Sequence, residues 1–338
     1  MTRVDAGPEE AEAPAACDGP RSLLLHSRDV PLGGVRGMGV HRALPQRDLP
    51  MVGAWCFLDR FGPQRTRMRV EPHPHIGLQT VTWPFVGEVR HRDAVGSDVR
   101  VARDALNLMT SGAGISHSEY SIGDEAVELD ALQLWIALPD PARHGPPAFE
   151  RHERLPVLTL SDAAGAATGE ATVVMGELGA AASPATAFSP LVGAEVRIEP
   201  GASADVALRP DWEYAVLGVF GSLEPVGADF GADADSDSAT APVVGGYDLL
   251  YLGLGRDGIR LQAGPDGATA FLLGGEPFEE EIVMWWNFVG RSHDEIVAAR
   301  DEWEASAPRF GSVVGHGDER IPAPPLPHVR LTPRRRRV

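Results

Sequence analysis

Short apolar runs alternate with turn residues along most of the chain, and this pattern predicts β-strands. Runs such as LDALQLWIALP, AEVRIEP and EYAVLGVFG are bounded by Gly, Pro and Asp, which end strands in turns. A helical period appears only near the end, in SHDEIVAARDEWEAS (292–306), where Ser292 and Glu295 suit a capping box. The chain is therefore predicted to be mostly β with one C-terminal helix.

Two long segments share this strand pattern, and each has the composition of a β-sandwich or barrel. The residues before the first segment are rich in Ala, Glu, Pro and Gly without periodic apolar positions, as in disordered termini. The proline-rich stretch PDPARHGPPAFERHE is predicted to link the two segments. The predicted organisation is a disordered segment over 1–20, a first β domain over 21–145, a second β domain over 146–290, and a helix with a basic tail over 291–338.

Two stretches of low complexity fall outside the strand pattern. The acidic run GADFGADADSDSATAP (227–242) is predicted to be a mobile insertion between strands of the second domain. The four arginines Arg334–Arg337 are predicted to form a solvated tail, and a weak contact with an acidic partner is the alternative.

Composition and charge narrow the classes of function. The 338 residues are 43% hydrophobic, which suffices for a substantial core in about two domains. The formal net charge of −18 disfavours direct binding to nucleic acid or to an anionic membrane surface. The chain has two cysteines, Cys17 and Cys56, no membrane-length apolar run and no signal-peptide core, so we expect a cytoplasmic protein.

Candidate metal ligands occur as two closely spaced pairs. In EPHPHIGLQT, His73 and His75 lie one residue apart at the start of a predicted strand, and strand alternation puts both on one face. In NLMTSGAGISHSEYS, His117 and Glu119 repeat this spacing. Three imidazoles and one carboxylate suit a divalent first-row metal with open coordination positions, as in non-haem iron oxygenases. The alternative is that His117 and Glu119 only pair with each other in a polar barrel mouth.

Three stretches of the sequence resemble the signature of the pirin family: PHPHIGLQTVTWPFVGEVRHRDAVGS, LMTSGAGISHSE and GEPFEEEIVMWWNFVGRSHDEI. Pirins belong to the cupin superfamily, so the resemblance implies an all-β chain of two cupin (jelly-roll) β-barrel domains with a short C-terminal helical segment. It also implies metal ligands at His73, His75, His117 and Glu119, with Fe(II) as the usual metal and other divalent first-row metals as alternatives. Residues 157–288 contain no histidine, so one metal per chain is expected.

The resemblance implies two alternative functions. Some bacterial pirins resemble quercetin 2,3-dioxygenases, which implies a small aromatic substrate such as a flavonol and a catalytic role for Glu119 as the base. The alternative is a metal-dependent regulatory protein that binds a protein partner without turnover.

Several neighbours of the candidate ligands bear on these alternatives. His91 is expected either to orient a ligand or to be a surface turn residue, and Gln133 and Trp135 are expected to line the barrel or to belong to the core. Five residues depart from the commonest family pattern and are expected to alter the pocket rim: Ile76, Leu78, Gln79, Leu108 and Ala113.

Overall fold

The fold is taken from a computed structural model that describes residues 19–32, 38–227, 230 and 241–334. The predicted disordered segment up to residue 18, most of the acidic insertion and residues 335–337 of the basic tail lie outside this part of the chain. Among the residues described, no helix combines the length and the apolar character that crossing a membrane requires.

The first barrel consists of two antiparallel sheets, with strands numbered β1 to β22 along the chain. One sheet has the order β12 (Ala148–His152), β9 (Leu106–Thr110), β6 (Leu78–Val86), β11 (Val127–Ala137), β4 (Trp55–Thr66), β3 (Met38–Leu44), β2 (Arg28–Leu32). The other has the order β5 (Arg69–His75), β10 (Ile115–Ser121), β7 (Val89–Asp93), β8 (Asp98–Val101). Apolar side chains from both sheets, such as Phe61 and Val70, share one buried cluster.

The second barrel is a single sheet that closes on itself, because β20 pairs with β17 as well as with β16 and β18. Its order is β1 (Pro20–His26), β19 (Asp248–Gly253), β18 (Glu213–Val226), β20 (Gly258–Gly275), β16 (Leu191–Ile198), β14 (Ala167–Leu178), β13 (Val157–Ser161), β17 (Ser203–Ala207), with β15 (Ala181–Ala182) paired to β14. Its interior is filled by apolar side chains, including Trp212, Tyr214 and Leu250.

Strand pairing joins the two halves of the chain in two ways that the sequence did not predict. Strand β1, which precedes the whole first barrel, pairs with β19 of the second barrel. Strand β12, which lies in the stretch predicted to be a linker, pairs with β9 of the first barrel. The linker interpretation was therefore wrong for residues 148–152, because an extended segment beside an open sheet edge can satisfy its backbone by pairing. The division of the chain at residues 145 and 290 stays a prediction.

The two barrels share their largest apolar cluster. It contains side chains of the first barrel such as Trp55 and Trp83 together with side chains of the second such as Val174 and Phe271. Trp55 crosses this interface, since its indole N–H lies 3.0 Å from the carbonyl oxygen of Val192 and 3.2 Å from that of Gly274. The two barrels therefore pack as one body around a common core.

The C-terminal segment returns to the first barrel. It comprises β21 (Val283–Trp285), β22 (Phe288–Gly290), α1 (His293–Glu304) and a short 3-10 helix (Pro308–Phe310). Ser292 caps α1 by accepting from the Glu295 N–H at 3.2 Å, as predicted, while the Glu295 carboxylate accepts from the Arg291 N–H at 2.8 Å. Trp303 of α1 and Phe310 bury their rings with Ile76 of the first barrel. The predicted all-β architecture with a C-terminal helix is confirmed.

Candidate metal centre

Three histidines meet inside the first barrel, on the paired strands β5 and β10. His73 lies directly opposite His117 in the antiparallel pairing, and His75 lies opposite Ile115. One ring nitrogen from each of His73, His75 and His117 lies within 4.8 Å of the others. All three side chains are buried, with His75 and His117 each 1% exposed. The structure therefore brings together the three histidines that the spacing pattern predicted.

A β-bulge in β5 determines which of its side chains lie on the same face as the histidine cluster. Opposite the two-residue step from His117 to Glu119, β5 advances three residues, from His73 to Val70. The extra residue breaks the alternation, as bulges do. As a result Glu71 hydrogen-bonds to Tyr120 on the opposite face of β10, while His73 stays with the inner histidines.

Backbone carbonyl groups determine the tautomers of two of these histidines. His73 Nδ1 lies 2.9 Å from the carbonyl oxygen of Glu71, and His75 Nδ1 lies 3.1 Å from that of Asn287 in the C-terminal segment. A carbonyl oxygen only accepts, so each Nδ1 carries a proton, and in the neutral ring each Nε2 then has the lone pair. This is the state in which imidazole binds a metal.

Glu119 lies in a second group that shares His117. A Glu119 oxygen falls within 4.8 Å of ring nitrogens of His91 and His117. Its Oε1 accepts from the Thr82 hydroxyl at 3.0 Å, and the same hydroxyl oxygen lies 3.0 Å from Gln133 Oε1. Thr82 has one hydroxyl proton, so it donates to one of these oxygens at a time. The four predicted ligands thus occupy one buried region, with His117 common to both groups.

Aromatic rings continue the barrel wall away from the histidines. The Trp135 ring stands edge-on to His75 at 5.2 Å between centroids, and Phe57 stacks on Trp135 at 4.0 Å. The Arg42 guanidinium lies 4.6 Å from the centre of the Phe57 ring and forms a bidentate ion pair with the buried Asp59. Trp135 therefore lies beside the candidate ligands and also belongs to a buried apolar cluster, so both alternatives from the sequence apply to it.

Most of the residues expected to alter the pocket rim are packed in buried clusters, and their effect on the rim stays a prediction. Leu78 and Leu108 are fully buried in apolar clusters, and Ile76 packs with the C-terminal segment. Gln79 points toward the second barrel, where its amide donates to the Thr186 carbonyl oxygen.

His91 and Asp93 lie beside the candidate ligands. His91 Nδ1 lies 3.3 Å from His117 Nδ1, and His91 Nε2 lies 3.1 Å from Asp93 Oδ2. Both residues are buried, so His91 is not a surface turn residue. Burial alone would raise the pKa of Asp93, but hydrogen bonds from His91 and from the Ser97 N–H hold that pKa below its ordinary value.

The C-terminal segment also supplies a histidine that sequence reasoning missed. His316 Nε2 lies 2.9 Å from the Ser118 hydroxyl, and its Nδ1 lies 3.3 Å from a Glu71 oxygen. Burial and the nearby Arg92 guanidinium lower the pKa of His316. His316 thus supports β10 from the face opposite to His117. No local pattern in the sequence indicated this contact, because about 200 residues separate the partners.

Comparison with known proteins identifies relatives of both halves of the chain. The family model Pirin matches residues 37–136, and the model of the Pirin C-terminal cupin domain matches residues 193–311. A Pseudomonas aeruginosa protein named as a candidate quercetin 2,3-dioxygenase is 41% identical over 305 residues, which cover 89% of each chain. A pirin-like protein of Caulobacter vibrioides is 34% identical over 89% of this chain and 99% of its own length.

A solved structure agrees with these sequence matches. The crystal structure of a quercetin 2,3-dioxygenase from Acinetobacter baumannii superposes with a TM-score of 0.79 at 35% identity. The superposition covers 91% of this chain and 96% of that one.

Proposed function

This chain belongs to the pirin family, and on that premise we propose that it is a mononuclear non-haem iron protein with quercetin 2,3-dioxygenase-type activity. The observation that carries the proposal is the buried convergence of His73, His75 and His117 beside Glu119. The substrate class is supported by two relatives that are named for this reaction, one by sequence and one by structure.

The proposed ligands are His73, His75, His117 and Glu119, and the proposed metal is Fe(II). The donor set fits such a metal because two of the imidazoles hold their protons on Nδ1 and present Nε2 lone pairs. When bound, the metal supplies Lewis acidity that polarises the oxygens of a chelating substrate. We propose one metal per chain, since residues 157–288 of the second barrel contain no histidine.

Glu119 is the proposed catalytic base. Thr82 donates to its Oε1, and the carboxylate would take the proton of the flavonol hydroxyl group. The stacked rings of Trp135 and Phe57 give the barrel a flat apolar wall next to His75. Such a wall suits a planar aromatic substrate and excludes water from it.

Oxygen uptake by the Fe(II)-reconstituted protein with quercetin tests the proposal, beside a His75→Ala control. Uptake that disappears in the control would support the metal-dependent dioxygenase. No uptake with about one iron bound per chain would contradict the activity, and the regulatory function through a protein partner would then be preferred.

The Glu119→Gln variant separates the ligand role of Glu119 from its role as a base. The amide still offers an oxygen to the metal, but it cannot take the substrate proton. We therefore expect turnover to be abolished while part of the metal binding is retained. Full activity in this variant would refute the role of Glu119 as the base.

The free Cys56 thiol is buried, which is compatible with a reducing compartment, and we propose a cytoplasmic location.

A further inference from the structure

A row of contacting polar side chains leads from Asp93 through His91 to His117 in the histidine cluster. Asp93 Oδ2 lies 3.1 Å from His91 Nε2, and His91 Nδ1 lies 3.3 Å from His117 Nδ1. His91 is held in its plane by Phe149, which stacks on it at 4.8 Å between centroids. The three polar side chains are between 1% and 4% exposed, so water does not replace these contacts.

The Asp93 carboxylate sets the direction of the hydrogen bonds along this row of side chains. An ionised carboxylate only accepts, so His91 Nε2 carries a proton that it donates to Asp93. When the His91 ring holds this single proton, its lone pair is on Nδ1, which faces His117 Nδ1. His117 then donates from Nδ1, and in a singly protonated ring this leaves the lone pair on Nε2.

His117 differs from the other two histidines in what determines its tautomer. His73 and His75 face carbonyl oxygens, which cannot donate, so their tautomers are set by the backbone. His117 faces another imidazole, which could either donate or accept. Without Asp93, nothing in the His91–His117 contact would select one direction.

With His117 protonated on Nδ1, the lone pair on its Nε2 faces the lone pair on His75 Nε2. His75 Nε2 and His117 Nε2 lie 3.0 Å apart, and both carry lone pairs when the ring protons are on Nδ1. Such an arrangement is repulsive when empty and favourable with a cation bound to both nitrogens. We propose that Asp93 and His91 are positioning residues, which act through His117 to prepare the cluster for a metal. This inference rests on the metal binding in the proposed function.

The Asp93→Asn variant tests the inference directly. The substituted amide can keep an oxygen for the Val95 and Ser97 N–H groups, which Asp93 Oδ1 accepts at 3.0 and 2.9 Å. Its NH2 group would then donate to His91 Nε2, so His91 would carry its proton on Nδ1 and His117 would have to move its proton to Nε2. The tautomer of His117 can be read from nitrogen–hydrogen correlation NMR on the metal-free full chain.

We expect the wild type to show His117 protonated on Nδ1 and the variant to show it protonated on Nε2. Affinity for Fe(II), measured by anaerobic titration, should fall about 10–100-fold in the variant, as for other residues that orient metal-binding histidines. An unchanged His117 tautomer, or an unchanged affinity, would overturn the inference.

A matched control is available in the second barrel. Asp248 also binds a histidine and a backbone N–H, since its Oδ1 lies 2.8 Å from His26 Nδ1 and its Oδ2 accepts from the Gly245 N–H at 3.1 Å. Asp248→Asn should leave the His117 tautomer and the metal affinity unchanged. An equal loss of affinity in both variants would refute a specific role for Asp93.

Two substitutions of His91 keep the test decisive if Asp93→Asn fails to fold. His91→Asn retains a side-chain oxygen that can accept from His117 Nδ1, whereas His91→Leu offers no acceptor. The leucine variant should therefore bind Fe(II) more weakly than the asparagine variant, and equal affinities would overturn the inference. A wild type that binds no metal would defeat the proposed function, while the tautomer measurement would still decide the role of Asp93.

Discussion

Replacing Gly77 by alanine tests whether the C-terminal segment holds His75 in place. Gly77 has a φ of +67°, and a Cβ atom built on it would lie 2.1 Å from the carbonyl oxygen of Val289. Strand β22, which contains Val289, is joined to this turn because the Val289 N–H donates to the Ile76 carbonyl at 3.1 Å. Asn287, just before β22, accepts from His75 Nδ1. Displacing β22 should therefore disturb His75.

Two energetic costs add in the Gly77→Ala variant. An alanine in the left-handed region costs about 1–2 kcal/mol. Real Cβ atoms essentially never show a contact below 3.0 Å, so either the turn or β22 must move. Overpacking of this kind costs about 1–3 kcal/mol. The free energy of unfolding should therefore fall by about 2–5 kcal/mol, the sum of these two costs.

The Gly165→Ala variant isolates the first of these costs. Gly165 has a φ of +84°, but a Cβ atom there would meet nothing within 4 Å. Urea unfolding of both variants should therefore show the larger loss of stability for Gly77→Ala, by about 1–3 kcal/mol. Titration with Fe(II) should show weaker binding by Gly77→Ala and unchanged binding by Gly165→Ala. Equal stabilities and equal affinities would refute the proposed link between β22 and His75.

Three further predictions concern the cores and the buried titratable groups. Gly193→Ala would place a Cβ atom 2.8 Å from Trp55 Cζ2, so the unfolding midpoint in urea should fall by the equivalent of about 1–3 kcal/mol; an unchanged midpoint would contradict the packing of the barrel interface. Burial raises the pKa of the Cys56 thiol to about 12, so in a Cys17→Ser background a thiol reagent at pH 8 should react only after denaturation; rapid labelling of the native protein would contradict this. Burial raises the pKa of Tyr214 to about 12 from 10.0, so the stability that this shift contributes is complete below pH 10 and is lost as the pH rises toward 12. The Tyr214→Phe variant should therefore lose less stability than the wild type between pH 10 and 12. Identical dependence of stability on pH in the two proteins would refute this prediction.

The local sequence pattern was sufficient to predict the strands and the placement of the histidine pairs. Alternation along a strand is a property of the backbone, so His73 with His75, and His117 with Glu119, could be assigned to one region from spacing alone. The bulge in β5 could not be foreseen, because it depends on pairing with β10. Simple alternation would have put Glu71 beside His73, but it lies on the other face of the sheet with Tyr120.

Contacts between distant parts of the chain were beyond sequence reasoning. Asn287 reaches His75 from 212 residues away, and His316 reaches Ser118 from 198 residues away. Their neighbouring residues carry no period that would indicate a partner. The direction of the Asp93–His91 pair was likewise open, because a histidine two residues from an aspartate is compatible with a surface turn as well as with a buried hydrogen bond.

Each half of the chain contributes a strand to the barrel of the other half, so no single cut divides the molecule into two intact barrels. Strand β1 pairs within the second barrel, although it precedes the first, whereas β12 and the segment after β22 pack on the first. A single protease cut near residue 145 would therefore produce two fragments that each retain part of the other's barrel. These fragments should remain associated as a non-covalent complex, and either one expressed alone would expose the apolar surface that its missing counterpart covers.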